Sequence, residues 1–152
     1  MYDTFMAALR CPVCGRISPA DDTTNMTTKL RDEPDGSLFR VGDALAIHHA
    51  TMEDSGYYAV QPPAEPVRIG QIWECPYCHH YPNWAEIVVG DGRIVSMEAI
   101  GLDHATLDRL HYLDEDVFYT AETLASRDLR ELPRNELVPL LRRLLGVPAC
   151  GG

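Results

Sequence analysis

Lysine is almost missing from this sequence. Lys29 is the single one, and Lys and Arg together number 13 against 23 Asp and Glu, a formal charge of −10. An acidic chain with so few cations repels phosphate backbones and anionic lipid head groups, so neither nucleic acid nor a membrane surface is an expected partner. No stretch approaches the ~20 consecutive apolar residues of a membrane-spanning helix. Met1 to Phe5 has no basic segment followed by an apolar one, so a cytoplasmic location is the default expectation. Internal repeats are lacking too, apart from one short cysteine motif that occurs twice. What is present is 152 residues with 45% apolar and 24% charged content. A chain of that kind forms one globular domain and buries roughly 70% of its unfolded surface, so it needs no disulfides to build a core. Five cysteines therefore require another explanation.

In a reducing compartment, short-spaced cysteine pairs read as metal ligands or redox thiols. The pairs are Cys11-Pro12-Val13-Cys14 and Cys75-Pro76-Tyr77-Cys78. Two intervening residues let both sulfurs of a pair face one ion while the turn's N–H groups donate to the thiolates, and Pro12 and Pro76 pre-set φ for that turn. Gly15 suits the left-handed conformation in which the chain leaves the first knuckle. Cys11, Cys14, Cys75 and Cys78 are thus the expected ligands of one closed four-thiolate site, the form of structural rather than catalytic zinc. Iron in the same cage, and redox-active or unliganded thiols, are the alternatives. Cys150, in the tail 148–152, belongs to neither pair and reads as an exposed thiol.

The two knuckles resemble those of zinc ribbon and rubredoxin-like proteins. Through Thr28-Lys29-Leu30 and Val41-Gly42-Asp43, the first 45 residues also resemble small uncharacterised bacterial zinc-ribbon proteins. The resemblance implies zinc and brings no activity with it. This chain differs in placing 60 residues between the knuckles and in having His79 where the second knuckle commonly has glycine. Closing a loop of that length costs roughly 3.6 kcal/mol, which structural zinc binding exceeds several-fold.

The expected fold class is α+β, a zinc-stapled, β-rich N-terminal part followed by a helical C-terminal third. In domain terms, 1–101 is the zinc-ribbon-like region, 102–147 a helical region packed on it, and 148–152 a tail, all within one compact unit. Thr27–Leu30, Leu38–Val41, Tyr57–Val60 and Val67–Glu74 read as strands, and Ala44–His49 could be a further one. Ala85–Val89 and Arg93–Met97 flank Gly90-Asp91-Gly92 as a hairpin. Asp103 is placed to cap one helix, and Asp114 a second with an apolar face from Val117 to Ala125. Leu137, Leu140, Leu141, Leu144 and Leu145 give a third.

No convincing catalytic set emerges, so the expected function is a non-enzymatic scaffold that meets another protein as an accessory subunit or regulator. Candidate docking residues are Leu137, Leu140, Leu141 and Leu144, with Trp73 and Trp84 beside the second knuckle; the competing reading makes the two tryptophans core. Two enzymatic alternatives remain. The first is disulfide exchange at the Cys-Pro-Tyr-Cys pair, although His79-His80-Tyr81-Pro82-Asn83 reads as loop where a redox cysteine needs a helix N-terminus. The second is a metal-dependent hydrolase using His48, His49 and Glu53, in which His49 and Glu53 would share a helix face.

Overall fold

The computed structural model describes residues 3–28, 30, 36–52, 54–101 and 104–114. Among them, in chain order, are strands β1 (Asp3–Phe5), β2 (Thr27–Thr28), β3 (Leu38–Phe39), β4 (Tyr57–Ala59), β5 (Val67–Trp73), β6 (Asn83–Gly90) and β7 (Arg93–Ile100), helix α1 (His104–Arg109) and strand β8 (Tyr112–Asp114). The short strands β2-β1-β3 form one sheet, antiparallel then parallel. The second sheet has the order β4-β8-β5-β6-β7. In it β5, β6 and β7 form an antiparallel meander, and β8 runs parallel to β5 and antiparallel to β4.

The meander follows from the sequence. Asp91 and Gly92 both take positive φ, 52° and 72°, as a two-residue hairpin turn of matching twist requires. The register shifts between Val88 and Val89, where Val89 faces Ile94 and Val88 faces Ser96. Val95 is the extra residue, and such a bulge twists an edge strand away from unwanted pairing. Residues 42–45 strap the start of the same edge, with Gly42 N–H donating to the Ile94 carbonyl at 2.7 Å and Leu45 N–H to that of Gly92 at 2.8 Å. The 27–30 and 38–41 segments are strands at their starts but do not pair with each other, because β1 lies between them.

The helical C-terminal third is overturned, and with it the α+β class. The described part of the chain is mainly β-sheet, and α1, at six residues, is its longest α-helix. Asp114 ends β8, an internal strand of the large sheet, and its carboxylate accepts from Gln71 Nε2 at 2.8 Å, while the helix it is placed to cap lies outside the described residues. Leu110 and Leu113 have helical spacing, but Tyr112 and Leu113 lie opposite Ile69 and Gly70 on β5, a parallel pairing with a segment some 40 residues away. Local periodicity carries no record of such a partner. The helices expected over 117–125 and 137–145, the four docking leucines and Cys150 lie outside the described residues.

One apolar cluster joins the two sheets, from Phe5, Leu9 and Met26 to Trp73, Ile87 and Ile94. A buried polar chain also crosses between them. Gln71 Nε2 donates to the Thr27 carbonyl and to Asp114, so its Oε1 must accept, and the Tyr57 hydroxyl donates to it at 2.6 Å. Having one proton, that hydroxyl accepts from Thr28 Oγ1 at 2.7 Å. On the far side of the large sheet, buried Glu86 is held by Arg109, at 2.8 Å to Nε and 3.2 Å to Nη2, and by Arg68 at 3.2 Å. This fixes the end of α1 to β6.

Candidate metal centre

The two knuckles are built alike. In the first, the Gly15 N–H donates to the Cys11 carbonyl at 3.0 Å, and the N–H groups of Val13 and Cys14 point at Cys11 Sγ at 3.3 and 3.5 Å. In the second, the His79 N–H donates to the Cys75 carbonyl at 2.9 Å, with Tyr77 and Cys78 N–H directed at Cys75 Sγ at 3.4 and 3.5 Å. Residues Gly15 and His79 leave their turns with φ of 75° and 62°. His79 therefore carries out, as a non-glycine residue, the conformational task of the glycine it replaces. Arg10 pairs with Ile17 across the base of the first knuckle and donates from Nη1 to the Gly15 carbonyl at 2.8 Å. The second knuckle hangs from the end of β5 and is bound to the N-terminal part by the Glu74 N–H, which donates to the Thr24 carbonyl at 3.0 Å.

These elements bring Cys11, Cys14, Cys75 and Cys78 together with all four Sγ atoms within 4.8 Å of one another. Cys11 lies 3.6 Å from Cys78, and Cys14 3.6 Å from Cys75. A tetrahedron with metal–sulfur bonds of ~2.3 Å has edges of about 3.8 Å, so the sulfurs fit a four-thiolate metal site. Four N–H groups aimed at Cys11 and Cys75 favour the thiolate form that a metal requires. Burial opposes ionisation of Cys75, but the N–H groups of Cys78 and Tyr77 and the neighbouring thiols outweigh it and bring its pKa down to about 6. At Cys78 the His80 N–H favours the thiolate, while burial and the thiols of Cys11, Cys75 and Cys14 prevail and push it up to about 11. The cluster is compatible with metal binding, and no other group of three or more potential ligands forms among the described residues.

Neither histidine next to the second knuckle joins the four sulfurs. His79 is exposed, with Nδ1 3.3 Å from Glu74. His80 Nδ1 lies 2.6 Å from Asn83 Oδ1, and Asn83 Nδ2 returns a bond to the His80 carbonyl. Trp73 and Trp84 are buried, as in the core reading, and their rings are not available to a partner. Tyr77 and Tyr81 are the exposed aromatics of this end, accompanied by Val13 and Ile17. The Arg16 guanidinium sits 5.1 Å from the Tyr77 ring centroid and clasps one knuckle to the other, a contact no sequence motif announces. Neither knuckle opens a helix, so the dipole that would activate a redox cysteine is missing from both.

His48 and His49 lie at a single 3₁₀ turn. His49 stacks on Tyr112 and places Nδ1 2.6 Å from its hydroxyl, while Glu53 lies outside the described residues. None of the described helices is long and apolar enough to cross a membrane. Comparison of the chain with protein-family models, curated proteins and solved structures finds no match to any of the three.

Proposed function

We propose that the four cysteines hold a structural zinc ion and that the metal-bound end is a non-enzymatic interaction module, through which the protein serves as an accessory subunit or regulator of a larger assembly. The observation that carries this reading is the convergence of four sulfurs, from segments 60 residues apart, into a set that fills a tetrahedral shell and leaves no position for substrate. Backbone donors to the sulfurs support thiolates, and four thiolates in a closed tetrahedral set are the common ligand set of structural zinc. Tyr77 and Tyr81, exposed beside the centre together with Val13 and Ile17, are of the residue type enriched in protein-binding hot spots.

Metal analysis of the purified full chain tests the first half. One zinc per chain, retained through gel filtration, is expected; the visible absorption of an iron–thiolate centre, or no metal at all, defeats it. For the second half, proteins that co-purify with the wild type are compared with those of a Tyr77→Ala, Tyr81→Ala double variant of equal zinc content. Loss of a stoichiometric partner is expected, and an unchanged set of partners excludes this face as the docking surface.

A further inference from the structure

Accessibility divides the four sulfurs in a definite pattern. Cys11 and Cys75 are buried and Cys14 and Cys78 are exposed, one of each kind in each knuckle. The 3.6 Å contacts run between knuckles, and each joins an exposed sulfur to a buried one: Cys78 to Cys11, and Cys14 to Cys75. An oxidant arriving from solvent therefore meets two sulfurs that each have a reaction partner waiting on the opposite knuckle.

We propose that the centre is a peroxide-oxidisable site whose four ligands convert to two cross-knuckle disulfides, Cys11–Cys78 and Cys14–Cys75, with release of the metal; this rests on the zinc reading above. The Cys78 thiolate attacks one oxygen of hydrogen peroxide. An S–O bond forms, the O–O bond breaks, and hydroxide leaves to take a proton from solvent as water. The Cys11 thiolate then attacks the sulfur of that sulfenic acid. The S–S bond forms, the S–O bond breaks, and the second hydroxide is protonated. Two thiolates have given two electrons and one peroxide has been reduced to two waters. The same sequence at Cys14 and Cys75 consumes a second peroxide, and zinc departs as the hydrated ion.

Each pair must close from 3.6 Å to ~2.05 Å, a side-chain movement rather than a change of fold. Arg16 over Tyr77 holds the knuckles together while the ligands change partners. Cross-knuckle disulfides replace the metal as the tie between the segments, whereas disulfides within each knuckle would let them separate.

The experiment uses the full chain carrying Cys150→Ser, so that four cysteines remain. Its zinc content is measured first, and absence of zinc at that point defeats the zinc reading, not the oxidation chemistry built on it. The zinc-loaded protein is titrated with hydrogen peroxide while a chromogenic chelator reports released metal. Cleavage after arginine places Cys11 and Cys14 in one peptide, 11–16, and Cys75 and Cys78 in another, 69–93. Two equivalents of peroxide are expected to release one zinc, remove four free thiols and yield the two peptides as one disulfide-linked mass, with fragmentation giving the 11–78 and 14–75 pairs. Dithiothreitol with zinc should restore the starting metal content. Separate peptides with internal disulfides, or zinc retained through a tenfold excess of peroxide, overturn the proposal.

Discussion

Gly15 and His79 occupy equivalent positions and adopt nearly the same φ, 75° and 62°. A side chain in that region costs roughly 1–2 kcal/mol, which glycine avoids. A Cβ at Gly15 would meet nothing within 4 Å, so Gly15→Ala carries the conformational cost alone. It should destabilise the metal-loaded protein by about 1 kcal/mol in urea, while His79→Gly should stabilise it by a similar amount despite losing the exposed Glu74 contact. Opposite shifts of the two unfolding midpoints check the pair. His111 gives a pH dependence. Burial, then the nearby Arg68 and His49, hold its pKa below the usual 6.5, and its Nδ1 accepts the Arg68 N–H at 3.0 Å, leaving the neutral ring's proton on Nε2. Between the depressed folded value and 6.5 the unfolded chain binds a proton that the folded chain refuses. The contribution of His111 is therefore complete above pH 6.5 and is lost as the pH falls through the folded value. Urea midpoints taken from pH 7.5 down to 5 should drop more steeply for the wild type than for His111→Gln.

At the scale of elements, β5 is the strand around which the large sheet is organised, and Gly70 is its tightest point. An added Cβ there would come within 2.7 Å of Leu113 Cδ2 and 3.0 Å of Leu110 Cδ1, both on fully buried leucines that close α1 and β8 onto the strand. Both leucine side chains must shift to admit it, and because both are fully buried Gly70→Ala should cost ~1–3 kcal/mol as an overpacked core does, checked by its thermal midpoint. This close approach also marks where the sequence stops being readable. The β6–β7 hairpin was legible because its turn residues and its strands lie side by side in the chain. The clustering of the four cysteines was legible because Cys-Pro-X-Cys encodes its own geometry, and β5 because Val67, Ile69, Ile72 and Trp73 are strand-favouring residues that lead straight into the second knuckle. By contrast β8 is three residues long, takes its identity from β4 and β5, and its Leu113 follows Leu110 at a spacing that also fits a helix. The same holds for β1, whose two neighbours come from residues 27–28 and 38–39. Pairings formed at a distance leave no local pattern to read.

Across the whole molecule, the knuckles are not an appendage. Cys11 and Cys75 belong to the same apolar cluster that joins the two sheets, and Trp73, two residues before Cys75, is one of its largest members. Loosening the cysteine cluster would therefore open the common core, and if the proposed zinc is bound, its tie across 60 residues contributes at least the loop-closure term of roughly 3–4 kcal/mol. For a domain whose total stability is about 5–15 kcal/mol, that is a large share. Cys75→Ser removes one ligand and leaves the Tyr77 and Cys78 N–H groups without their sulfur acceptor. Its loss should be at least about 3 kcal/mol, and chelation of the wild type should approach the same value. Two readouts separate a global effect from a local one. Tryptophan fluorescence reports Trp73 and Trp84 near the second knuckle, and far-ultraviolet circular dichroism reports the sheets as a whole. If the metal ties one core together, both signals in the variant should move to lower urea concentration with coincident midpoints. A fluorescence transition that precedes an unshifted dichroism transition would place the knuckles outside the cooperative unit, with the sheets standing without them.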